Sequence, residues 1–184
     1  GHTNQVILSD VAKLALVDSN YAQLTKTIAD AVIEHEINHE TEFFYDMVTL
    51  DGEPLYRDMY MSYGGSTSLE SLLLAYEVTS DVIYLDQVKR TILAYWELRD
   101  KDTNLIPSWI YSDTGDIKEP FMQQYGAGIF LKVLLHYYYL TEDEDVYKII
   151  EDYTDAVVDY FWDGKTWNYR VDYDGTVRAD IIEA

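Results

Sequence analysis

Tyr63-Gly64-Gly65-Ser66-Thr67-Ser68-Leu69-Glu70-Ser71-Leu72-Leu73-Leu74-Ala75-Tyr76-Glu77-Val78-Thr79-Ser80-Asp81 is a stretch that this chain writes twice. Displaced by 62 positions, it lands on Tyr125-Gly126-Ala127-Gly128 through Thr141-Glu142-Asp143. Eight of the 19 aligned positions are identical: Tyr63/Tyr125, Gly64/Gly126, Leu69/Leu131, Leu72/Leu134, Leu73/Leu135, Tyr76/Tyr138, Thr79/Thr141 and Asp81/Asp143. A self-offset of this size marks a stacked array of one supersecondary unit. Both copies read as helices. The first opens on Ser66-Thr67-Ser68, which are N-cap candidates, with Glu70 available to the first turn. The second, about Met122 to Leu140, is apolar nearly all the way round from Ile129 onward, and such a helix is expected to be buried on most sides.

The helices that follow each copy are one-sided. Leu85, Val88, Ile92, Tyr95 and Trp96 form one stripe; Val146, Ile149, Ile150, Tyr153, Val157, Tyr160 and Phe161 form another. Lys89, Arg90, Glu97, Glu151, Asp152 and Asp159 occupy the opposite faces. One-sided helices outside apolar ones describe two concentric layers, with the loops collected where each inner helix begins. The loops share a design. Aromatic and β-branched residues from Phe43 to Pro54 surround an Asp51-Gly52 turn, which predicts a hairpin. The turn recurs as Asp113-Thr114-Gly115 and as Asp174-Gly175, and Pro54 and Pro120 close the first two hairpins.

Upstream, Val6, Ile7, Val11, Leu14 and Val17 give a weak helical pattern, followed by the turn Asp18-Ser19-Asn20 one period before Ser80-Asp81. Tyr21, Leu24, Ile28 and Val32 then share one face of a helix predicted from Tyr21 to about Glu40. The chain therefore reads as all-α: three inner/outer helix pairs over about 6–40, 66–99 and 122–162, with short β-hairpin loops between them. Residues 3–184 form a single domain on this reading, Thr176 to Ala184 run toward a fourth pair, and Gly1-His2 reads as a tag remnant.

Composition narrows the function. A 184-residue chain that is 48% apolar can build a real core, and no apolar run is long enough for a membrane span. With 34 acidic and 13 basic residues, the formal charge is -21, and no basic stripe exists to displace counterions from nucleic acid. The acidity serves solubility, or adaptation to a salty medium, or calcium binding by acidic clusters. Absence of cysteine excludes disulfides, thiolate catalysis and cysteine zinc sites while leaving the compartment open; an extracellular or cell-surface setting is favoured. The 18 tyrosines suit half-buried positions and sugar-lined or protein-lined clefts equally.

The run Leu72-Leu73-Leu74-Ala75-Tyr76-Glu77-Val78-Thr79-Ser80-Asp81, followed by Tyr84-Leu85-Asp86, resembles the helical-pair repeat of the six-hairpin glycosidase superfamily. The Leu140-Thr141-Glu142-Asp143 copy matches in register, and the resemblance spans roughly 60–180. It implies an (α/α) toroid, of which this chain supplies three of six pairs, completed by a longer polypeptide or by self-association. The superfamily includes glycoside hydrolases, unsaturated-uronyl hydrolases, sugar epimerases and the helical domains of polysaccharide lyases. It places the substrate cleft at the inner-helix N-terminal ends. By position this nominates Trp109, Tyr111, Asp113, Asp116, Glu119, Gln123, Gln124 and Tyr125 from one loop. A second loop offers Trp167, Tyr169, Arg170, Asp172 and Asp174, and a third Arg57, Asp58, Tyr60 and Tyr63.

Aromatics interleaved with carboxylates suit sugar chemistry: rings stack on pyranose faces, and two carboxyls divide the acid and base or nucleophile roles. Glu119 is the candidate general acid, since Phe121 beside it would supply an apolar surrounding that raises its pKa. Asp113, Asp58 and Asp172 are its candidate partners, although Asp113, Asp51 and Asp174 are equally explained as turn residues. The expected activity is general acid/base chemistry on an oligosaccharide or uronic-acid-containing glycan, without an organic cofactor. The alternative is a non-catalytic helical module binding glycan or protein through its loops.

His35-Glu36-Ile37-Asn38-His39 matches H-E-x-x-H, in which two histidines one helical turn apart hold zinc and the glutamate works on water. This defines a third reading, a zinc peptidase through His35 and His39, though the flanking Glu34 and Glu40 are unlike an apolar zinc helix. His136 reads as a hydrogen-bonded core residue, and Glu142-Asp143-Glu144-Asp145 as a helix start. No phosphate-binding glycine loop and no G-x-S-x-G occur.

Overall fold

The computed structural model describes residues 2–49 and 51–178, apart from the side chains of 2–5, 62 and 63. Its helices are α1 (His2–Ala15), α2 (Ala22–Glu36), α3 (Ser66–Thr79), α4 (Val82–Glu97), α5 (Gln124–Thr141) and α6 (Glu144–Phe161). Helices α1, α3 and α5 pack side by side as an inner row, and α2, α4 and α6 back them as an outer row. Three α/α hairpins thus form an arc of a toroid, as the repeat predicts.

The repeated residues hold equivalent jobs. Ser80 and Glu142 both adopt the left-handed conformation (φ 58° and 53°), and their N–H groups return to the Tyr76 and Tyr138 carbonyls at 2.7 and 2.8 Å. The Thr79 and Thr141 hydroxyls donate to the carbonyls of Ala75 and Tyr137. Asp81 then caps α4 by accepting from the Ile83 N–H, and Asp143 caps α6 by accepting from the Asp145 and Val146 N–H groups. Asp18 does the same for Asn20 ahead of α2. The caps also tie units together: Lys26 of α2 lies 2.8 Å from Asp81, and Lys89 of α4 lies 2.6 Å from Asp143.

Gly65 shows what its position demands. A Cβ there would fall on the hydroxyl of fully buried Tyr95. Gly65→Ala is therefore expected to cost about 1–3 kcal/mol through overpacking, read as a lower urea midpoint.

Three local readings are corrected. Ser66, Thr67 and Ser68 do not cap α3; their hydroxyls donate backward to the Met61 and Gly64 carbonyls of the π-helical turn Met61–Gly65. Among the described side chains of α1, Leu8, Ala12 and Ala15 are buried, whereas Val6, Ile7 and Leu14, and Val17 just beyond the helix, are exposed. The alanines let α1 approach α3 closely, which turns the bulkier stripe away. In α5, Ala127, Phe130, Val133, Leu134 and Tyr137 are buried, whereas Leu135 and Tyr139 form an exposed seam. Both seams lie on inner helices at the ends of the arc, where a closed ring would place further hairpins. Between them, Val6, Ser9, Lys13, Glu70, Ile129 and Lys132 help to line a groove of about 290 Å³.

His136 bridges α5 to α3, with Nδ1 3.4 Å from Glu70 and Nε2 3.3 Å from Glu77, while Lys132 lies 2.9 Å from Glu70. The hydrogen bond to Glu70, supported by Glu77 and opposed by burial, raises its pKa above the ordinary 6.5. The stabilisation is complete below pH 6.5 and is lost as pH climbs through the raised value. Thermal midpoints are expected to fall across that window, and His136→Gln to flatten the fall.

Candidate active site

Among the described residues, the interhelical loops form four small sheets on one rim of the arc. Strands β1 (Ile37–Asn38) and β2 (Phe43–Phe44) pair first, and β3 (Met47–Val48) pairs with β4 (Pro54–Tyr56) around Gly52. Strand β5 (Asp58–Tyr60) pairs with β6 (Trp109–Tyr111), which pairs with β7 (Ile117–Glu119) around the Gly115 turn. Strand β8 (Phe121–Gln123) pairs with β9 (Arg170–Asp172). Since β5 leads through the π turn into α3, and β8 runs directly into α5, the three-stranded sheet and the β8–β9 pair stand at inner-helix N-termini.

Strand alternation builds a shelf. Met59 and Ile110 are buried below the three-stranded sheet, so Asp58, Tyr60, Trp109 and Tyr111 project from its other face. The β6–β7 register skips Lys118, and this bulge turns its ammonium over the Trp109 ring at 4.4 Å and against Asp58. Tyr60 meets Trp109 edge to face at 5.5 Å, and its hydroxyl lies 3.1 Å from that of Tyr125. Asp46, Tyr56, Asp58, Tyr60 and Trp109 line a cleft of about 370 Å³.

Behind the shelf lies Gln123, only 4% exposed. Arginine can only donate, so the amide is assigned with its oxygen on Arg170, at 2.7 Å from Nη2 and 2.8 Å from Nε. Its NH2 group then donates to the Tyr125 hydroxyl at 2.8 Å and to that of Tyr60. The Arg170 guanidinium lies 4.5 Å from the Phe121 ring and 5.8 Å from that of Tyr169. One buried amide therefore orients a cation and two phenols.

The four nominated carboxylates have different surroundings. Asp58 pairs with Lys118 at the cleft. Asp113 pairs with Arg57 and accepts from the Tyr45 hydroxyl at 2.8 Å; the Arg57 hydrogen bond holds its carboxyl below the usual range. Asp172 pairs with Arg178. Glu119 stands across the ladder from Trp109, while the ring of Phe121 packs under Arg170 and Arg178. Asp116 and Asp174 are turn residues, bonded to Thr114 and Thr176.

Other candidates stand apart. Trp167 pairs with Trp162 beyond α6, at 5.3 Å between rings. Gln124 bonds to the Tyr169 carbonyl through its backbone N–H. The Tyr63 side chain lies outside the described residues. The zinc reading loses its geometry: α2 ends at Glu36, Ile37 turns into β1, and His35 and His39 do not share a helical face. Among the described residues, no cluster of three His, Asp or Glu side chains is arranged to hold a metal. None of the described helices is long and apolar enough to cross a membrane. Lys118, Asp46, Tyr45 and Tyr56 join the site without having been nominated; for Lys118 the clue is Lys-Glu facing two aromatics across a short hairpin.

No family model matches the chain, and no curated protein matches it in sequence. Solved structures do. A D-mannose isomerase superposes with a TM-score of 0.82 at 15% identity, covering 96% of this chain and 49% of that one. The cellobiose 2-epimerase from Spirochaeta thermophila DSM 6192 gives 0.84 at 14% identity, covering 95% and 47%. The cellobiose 2-epimerase from Bacillus thermoamylovorans B4167 gives 0.75 at 17%, covering 96% and 46%. These likenesses show the fold, an α/α-toroid segment, and this chain spans about half the length of the structures it matches.

Proposed function

We propose that this chain carries the loop rim of a carbohydrate-active toroid that binds an oligosaccharide or uronic-acid-containing glycan and acts on it by general acid/base chemistry. The observation that carries the reading is the Tyr60–Trp109–Tyr125 shelf, braced by Gln123 and bordered by the cleft carboxylates Asp46 and Asp58. Flat rings take a pyranose face, the phenols and amide read hydroxyls, and Asp58, Asp46 and Glu119 supply proton-transfer groups. The likeness to an isomerase and to epimerases favours proton transfer at the sugar over glycosidic hydrolysis. A second reading, a glycan-binding module without turnover, is favoured by the cation pairing of Asp58, Asp113 and Asp172.

Incubation with a panel of aldoses, oligosaccharides and uronate glycans, followed by NMR, separates the readings. Epimer, ketose, new reducing ends or unsaturated product is expected, with a loss of about 100-fold or more in Asp58→Asn or Glu119→Gln. Retention without product supports the binding module. Neither binding nor product overturns both.

A further inference from the structure

Four of the five arginines are ion-paired: Arg57 with Asp113, Arg90 with Glu42, Arg99 with Glu97 and Arg178 with Asp172. In a chain with 34 acidic residues, that is the ordinary outcome. Arg170 is the exception among the described residues. It is nevertheless fixed, because the Gln123 oxygen takes one edge of its guanidinium through Nε and Nη2 and the Phe121 ring lies against it. A guanidinium has five N–H donors; that edge uses two. The opposite edge, formed by Nη1 and the second Nη2 hydrogen, is the fork that accepts a carboxylate in two parallel hydrogen bonds. The amide that holds Arg170 also reaches Tyr60 and Tyr125, so the fork borders the aromatic shelf.

We infer that Arg170 reads a carboxylate on the sugar, making the site selective for a uronate over its neutral counterpart. The inference rests on the carbohydrate reading above. Gln123 is a positioning residue in it. A neutral amide there orients the guanidinium without cancelling its charge, whereas aspartate or glutamate would satisfy Arg170 internally. The overall charge of -21 repels anions at a distance. That repulsion is screened beyond about 8 Å at about 0.15 M salt and does not reach a bidentate contact.

The test is calorimetric titration of the whole chain with tetragalacturonate and with its methyl ester at about 0.15 M salt. The ester keeps the rings and removes the charge. The acid is expected to bind about tenfold more tightly or better, in line with a charge-assisted pair. Arg170→Gln should abolish the difference, Arg170→Lys should restore only part of it, and Gln123→Glu should abolish it while keeping the arginine. Equal binding of acid and ester by the unaltered chain, or a preference that survives Arg170→Gln, overturns the inference and leaves the carbohydrate reading standing. If neither form nor any neutral oligosaccharide binds, both fall. Should Arg170→Gln fail to fold, the acid-to-ester ratio of the unaltered chain still decides.

Discussion

Phe130→Ala is expected to remove about 3–5 kcal/mol of unfolding free energy, the largest loss from any single side chain considered. Phe130 is fully buried on α5, where it links aromatic rings from all three hairpins. Phe43, from the loop after α2, stacks on Tyr95 of α4 at 5.3 Å; Tyr95 lies 5.9 Å from Phe130, and Phe130 meets Tyr153 of α6 edge to face at 5.4 Å. Removing it leaves a cavity and breaks two ring contacts, each worth about 0.5–1.5 kcal/mol beyond burial. Urea unfolding should show the midpoint falling, with the third hairpin released before the first two. A loss below about 1 kcal/mol would mean that the interior collapses around the gap and that the ladder does not couple the units.

Gln123→Leu is expected to weaken glycan binding by about ten- to 100-fold while the helices stay folded. Leucine matches the volume but takes the acceptor from two Arg170 donors and the donor from the Tyr60 and Tyr125 hydroxyls. Each buried group left without a partner costs about 1–3 kcal/mol, and here the loss falls on the orientation of the binding groups. Titration with whichever glycan the panel identifies, alongside circular dichroism, checks it. Unchanged affinity would show that the shelf keeps its shape without the amide.

The fold was legible because the repeated residues are those with backbone duties. Thr79/Thr141 and Asp81/Asp143 end an inner helix and begin an outer one, so they cannot drift as surface residues do. What misled was exposure at the two ends of the arc. Periodicity marks Val6, Leu14, Leu135 and Tyr139 as apolar but cannot say which hairpin covers them, and none described here does. The apparent H-E-x-x-H failed because backbone pairing of Ile37 with Phe44 ends α2 inside the motif. The site was legible as a set of aromatic loops, but not as an assembly. Each loop reads alone as a hairpin, yet β5 from one hairpin unit pairs with β6 from the next, and that long-range pairing sets Tyr60 against Trp109. Lys118 was hidden for a similar reason, since a bulge and not the strand period decides its direction.

The lysine-to-cap links give the arc a polarity. The outer helices α2 and α4 each offer an ammonium forward to the aspartate that starts the next, Lys26 to Asp81 and Lys89 to Asp143. Advance Lys89 by the 62-residue period and the position in α6 is Glu151, exposed on the surface. A further hairpin with the same aspartate would meet like charge there instead of a latch. Such a hairpin would dock on α6 without the ion pair that links the first three units, a term of about 0–1 kcal/mol for an exposed pair, unless that glutamate or the incoming aspartate changes sign.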